Sequence, residues 1–194
     1  MNRKFIRLVL FSAFSFALLP SLYAQNSRAL PVDVLLIVDT SAALQPHRAE
    51  VLSWINSHIV NRVLSPGDSI TIWAAGASAG VIHSAAITGG EDIQSVRNVL
   101  QGLTLSGASA DLAGAAGQAA FRLAQTAGDR SRMTYTVLVS ASAAALRTAF
   151  AGDGRHLFRW FRTEHSSGWQ ALVVAPDIAH RAHNAALAFI ESQR

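Results

Sequence analysis

From Val32 to Val38 the chain reads VDVLLIV, a near-continuous apolar run one strand long, and such runs belong to strands buried on both faces of a sheet. The pattern then changes period. In PHRAEVLSWINSHIVNRVL, apolar residues recur at Leu52, Ile55, Ile59 and Val63, the spacing of one helical face, with Pro46 suited to a first turn. SPGD at Ser65 to Asp68 predicts a turn, and SITIWAAG and GVIHSAAI read as two strands. Residues Glu91 to Leu103 place Ile93, Val96, Leu100 and Leu103 on one helical face. A second helix is predicted from Asp111 to Gln125, rich in Ala, with Gly114 and Gly117 permitting close packing at a cost in propensity. MTYTVLVS and WQALVVAP repeat the strand pattern, and a closing helix is predicted from Asp177, a natural N-cap after Pro176, to about Glu191.

Strands separated by helices build parallel βαβ units. The expected fold class is therefore α/β, a three-layer α/β sandwich with a mostly parallel central sheet flanked by helices. No internal repeat, low-complexity tract or linker divides the chain.

Charge modifies this picture mainly at the N-terminus. The chain has 194 residues, 51% hydrophobic and 14% charged, and a pI near 10.6. Three of its sixteen basic residues, Arg3, Lys4 and Arg7, stand before or within a mostly apolar stretch, Phe5 to Leu19, that leads through Pro20 to SLYAQ. This is the layout of a signal peptide, expected over residues 1–24 with cleavage after Ala24. The apolar stretch is too short and interrupted for a span of about 20 residues, so no stable membrane span is expected after cleavage. A short lead, 25–31, then opens a single domain, 32–194. Taking away residues 1–24 removes three of sixteen Lys and Arg and none of the twelve acids, leaving a net charge of +1. A nucleic-acid partner loses its main electrostatic support. With no Cys, the fold rests on its core alone.

The candidate chemistry lies in LLIVDTSAAL, Leu35 to Leu44, where a buried run ends in Asp39, Thr40 and Ser41. The order of strand, Asp39-x-Ser41, long helix, Pro66-Gly67-Asp68 turn, paired strands, helix pair and YTVLVS strand resembles a von Willebrand factor type A domain over Val32 to Ser142. That resemblance implies a cation held by an Asp-x-Ser-x-Ser loop, a Thr from a second loop and an Asp after a later strand. Asp39 and Ser41 match the first two positions. Ala43 takes the third, Ala110 the place of the Thr, with Ser109 one residue away, and Ala141 the place of the final Asp, between Ser140 and Ser142. Three of five ligand positions thus lack a side-chain oxygen, and Mg²⁺ asks for hard oxygen ligands in octahedral array. No cofactor is expected. Mg²⁺ at Asp39 and Ser41, completed by water, is the alternative, and Asp39 otherwise caps the next helix or satisfies backbone donors. The resemblance implies a binding rim of Asp39, Thr40, Ser41, Ser109, Asp111, Ser140 and Ser142, with another protein as partner.

Other motifs carry less. RHLFRWFRTEH, Arg155 to His165, reads as an amphipathic helix packing Phe158, Trp160 and Phe161, or else as a partner surface. His180 and His183 have helical metal spacing but no third ligand. VSASA lacks the glycines of a nucleophile elbow, and no glycine-rich phosphate loop follows the first strand. The expectation is an exported, non-catalytic interaction module, periplasmic or extracellular. A divalent-cation-dependent adhesion domain and an envelope hydrolase are the alternatives. The natively produced protein is expected to start at Gln25, and its intact mass checks this; a full-length mass in a membrane fraction would contradict it.

Overall fold

The computed structural model describes Arg28, residues 30–126 and 131–141, and the backbone of 169–174. The signal peptide, Ser142, the Arg155–His165 segment and the closing helix with His180 and His183 lie outside the described residues. Among the described residues, no helix is long and apolar enough to cross a membrane.

Five strands of the described residues form one sheet: β1 (Val32–Asp39), β2 (Ser69–Ala75), β3 (Ala79–Ala86), β4 (Met133–Ser140) and β5 (Trp169–Val174), in the order β3-β2-β1-β4-β5. β1 pairs parallel with β2 and β4, β4 parallel with β5, and only β3 runs antiparallel. The α/β class and the mostly parallel sheet agree with the sequence. β1 is central, which is why its run is unbroken: both of its faces are covered.

Alternate residues divide the core in two. Val32, Val34, Leu36 and Val38 join Ile70, Ile72, Tyr135 and Val137 beneath α1 (Arg48–Trp54) and α2 (Gly90–Gln101), where Val51, Trp54, Val96 and Leu100 are buried. Leu35 and Ile37 join Trp73, Ala75 and Leu138 in a second cluster with α3 (Leu112–Thr126). α3 meets the sheet through Ala115, Ala116, Ala119 and Ala120, whose small side chains allow close approach. Burial in the first cluster pushes the Tyr135 phenol above its ordinary pKa.

The helix expected from Pro46 has three parts. Ala42–His47 is a 3₁₀ turn containing Pro46, Arg48–Trp54 is α-helical, and Ile55–Val60 is a π-helix. Asn56 Nδ2 donates to Leu52 O, and His58 Nδ1 lies 3.1 Å from Trp54 O. Side chains that return to carbonyls four residues back compete with the backbone for them. Backbone bonds five residues apart follow, Asn61 N to Asn56 O and Leu64 N to Ile59 O. Ile55 and Ile59 remain fully buried through the change of pitch.

Ser65–Asp68 is a type II turn in which Asp68 N donates to Ser65 O and Gly67 adopts φ 97° after Pro66. Asp68 is 1% exposed. Its carboxylate accepts from Val32 N, Ser65 N and Arg28 Nη2, binding the turn to the entry of β1. Asp68→Ala leaves a buried guanidinium and two backbone donors unpaired. It is expected to destabilise the fold by about 3–5 kcal/mol, as read by urea unfolding.

Candidate functional site at the strand ends

Three parallel strands, β1, β2 and β4, end at one edge of the sheet, where open α/β folds place ligands. β1 delivers Asp39 there, 2% exposed. A buried carboxylate needs donors, and it has three. Oδ1 accepts from Ser41 N at 2.8 Å, and Oδ2 accepts from Ser140 Oγ at 2.9 Å and Ala141 N at 3.3 Å. Ser140 is fully buried, so its hydroxyl is spent on this bond.

Backbone bonds knit the remaining loops to this centre. Thr40 N donates to Ala75 O, Gly107 N to Thr40 O, Ala42 N to Gly107 O, and Asp111 N to Gly76 O. Ser41 and Gly107 form a parallel bridge. The glycines make the closeness possible: a Cβ on Gly76 would stand 3.1 Å from Thr40 Oγ1, and one on Gly107 would stand 3.2 Å from Ser109 O. Asp111 is turned to another task. Its Oδ1 accepts from Gly114 N at 2.8 Å, capping α3. A Cβ on Gly114 would overlap the Asp111 carboxylate, so that glycine serves the cap as well as helix packing.

The structure thus joins Asp39, Ser41 and Ser140 directly, and Thr40 and Asp111 through backbone. Ser41 contributes its N–H, and its side chain makes no capping bond to the turn that follows. Ser109 is exposed beside Gly107. Gly76 and Gly114 were missed as parts of the site; an isolated glycine at a strand end or in a first helical turn is the signal that points to them.

The cation implied by the fold fits these residues poorly. Both Asp39 oxygens already accept protein donors, while Ala43, Ala110 and Ala141 offer no side-chain oxygen. Among the described residues, no three His, Cys, Asp or Glu side chains gather as a metal-binding group.

No protein-family model matches the chain, and no curated protein does. Solved structures do. A von Willebrand factor type A protein from Catenulispora acidiphila is 15% identical, with a TM-score of 0.50, over 81% of this chain and 42% of its own. Proximal thread matrix protein 1 from the mussel byssus is 10% identical, with a TM-score of 0.55, over 76% and 38%. A further structure of that mussel protein, with a zinc-occupied metal-ion-dependent adhesion motif, is 12% identical with a TM-score of 0.50 over 75% and 36%. The chain has the fold of a von Willebrand factor type A domain. It spans about two fifths of the length of these neighbours.

Ser140→Ala deprives Asp39 Oδ2 of its hydroxyl donor and is expected to cost about 1–3 kcal/mol. Asp111→Ala removes the α3 cap and is expected to cost about 0.5–2 kcal/mol. Thermal or urea unfolding of the two variants measures both.

Proposed function

We propose that this protein is an exported, non-catalytic protein-binding module that uses the rim at the strand ends without a metal ion. The observation that carries the reading is that protein donors hold Asp39 while alanines stand at the positions of its partner ligands. A cation-dependent adhesion site needs several oxygen ligands around the ion, and here Ser41 N–H, Ser140 O–H and Ala141 N–H take three of the roughly four acceptor positions of Asp39, while Ala43, Ala110 and Ala141 add no side-chain oxygen. The fold supports interaction as the activity, since one neighbour of this architecture is a thread matrix protein. Export rests on the sequence of residues 1–24. Ser140 offers no support for the hydrolase alternative, because a fully buried hydroxyl bonded to Asp39 is out of reach of a substrate.

Beside the half-buried Asp111, the rim presents small neutral groups to a partner. Ala42, Ala43 and Ser109 are exposed, and Asp39 lies beneath them. Recognition then depends on shape and on hydrogen bonds to the loops, and it is insensitive to chelators.

Melting curves test the metal-free reading. A ligand bound only by the folded state stabilises it by about 2.7 kcal/mol at a hundredfold excess over Kd. No rise in Tm is expected in millimolar Mg²⁺ or Mn²⁺. The combined variant Ala43→Ser, Ala110→Thr, Ala141→Asp is expected to gain a cation-dependent rise, because a second carboxylate and further oxygens then face the loop. A saturable shift in the unmodified protein, abolished by Asp39→Ala, would overturn the proposal.

A further inference from the structure

At the opposite end of the sheet from the rim, α3 and the strands line an open recess of about 330 Å³, at the small end of the range of ligand pockets. We propose that this recess binds a small organic anion, a carboxylate carrying a short apolar body. Its floor is the face of the sheet that α3 covers, crossed from Ala86 on β3 through Ser69 on β2 to Asp33 and Leu35 on β1. Arg122 and Leu123 of α3 line the other side, and Arg132 stands just before β4. The wedge follows from the sequence of α3. Its earlier turns meet the sheet through alanines, and the larger Leu123 and Arg122 follow near its C-terminal end.

The two guanidinium groups are not equivalent. Arg132 is committed: its Nε and Nη2 each lie 2.7 Å from Asp33 Oδ1, which also accepts from Ser69 Oγ. Arg122 has a hydroxyl as its partner, donating from Nη2 to Ser84 Oγ at 3.2 Å, and no carboxylate lies within ion-pair distance of it among the described residues. Asp68, the other acid on the lining, is paired with Arg28. Among the described residues the recess therefore carries one guanidinium with no carboxylate partner, and its remaining N–H groups suit a planar carboxylate in a forked pair. Ala86 is exposed and, with the small exposed parts of Leu35 and Leu123, supplies apolar surface for the rest of the ligand.

Hexanoate and inorganic phosphate are suitable probes, titrated into the purified protein and followed by heteronuclear NMR at the amides of Gly67, Ser69 and Leu123. Hexanoate is expected to bind saturably at millimolar concentration and phosphate much more weakly, because phosphate leaves the apolar wall uncovered. Arg122→Ala, an exposed position, is expected to weaken hexanoate by about tenfold or more, the loss of a charge-assisted pair, with the melting curve unchanged. Asp33→Asn removes the charge that neutralises Arg132, so hexanoate binds it more tightly. Ser109→Ala, at the rim, leaves binding as it is. Equal affinity of Arg122→Ala and the unmodified protein for hexanoate, or weaker binding by folded Asp33→Asn, would overturn the assignment. Equal binding of phosphate and hexanoate would overturn the apolar part of it.

Discussion

The carboxylate of Asp39, held at the end of the central strand by three donors, fixes the geometry of everything built at that edge. A charge 2% exposed is tolerable only where hydrogen bonds replace water. The donors come from two places: Ser41 N–H from the loop that leaves β1, and Ser140 O–H and Ala141 N–H from the end of β4, about a hundred residues along the chain. One side chain thus joins neighbouring strands to each other and to the first loop. With that loop anchored, Thr40 can bridge to Ala75 and Gly107, and Gly76 can receive Asp111 N–H. The exposed surface of the rim is a consequence of satisfying a group that lies beneath it.

The sheet carries this constraint to its other end through side-chain alternation. Because β1 is buried on both faces, even positions serve α1 and α2, and odd positions serve α3. The odd row starts at Asp33 and ends at Asp39, so one β1 face bears a carboxylate at each end. The two are satisfied differently. Asp39 is met by neutral donors and buried, whereas Asp33 is about a fifth exposed and met by the cation of Arg132. At one end the carboxylate is closed off by neutral donors, and at the other a partly exposed guanidinium meets it.

Much of the fold was legible because the period of the apolar pattern changes cleanly between elements. VDVLLIV, SITIWAAG and MTYTVLVS announce strands, and each lies where the pattern puts it. The helix after β1 was legible as apolar spacing only. Its change of pitch depends on Asn56 and His58 returning to carbonyls of the previous turn, a competition that residue periodicity does not encode. At the site, a carboxylate closing a buried run was visible as a group in need of donors. That Ser140 supplies one was not, since register alone decides which residue of β4 reaches Asp39. Gly114 was visible as a packing residue, but its tie to the Asp111 cap is a matter of three-dimensional overlap.

The empty ligand positions and the Ser140 bond are best understood as a single change. The pattern implied by the fold family places a second acid at the position of Ala141, beside Asp39. Two carboxylates so close repel, and their joint ionisation favours a divalent cation between them. With alanine at 141, a lone carboxylate remains, and one negative charge can be accommodated by neutral donors without an ion. Ser140 O–H and Ala141 N–H both donate to Asp39 Oδ2. An acid restored at 141 alone would face Asp39 with no cation-binding hydroxyl at 43 or 110 to complete the shell. The alanines at 43, 110 and 141 are for this reason mutually consistent, each removing a requirement that the others would otherwise leave unmet.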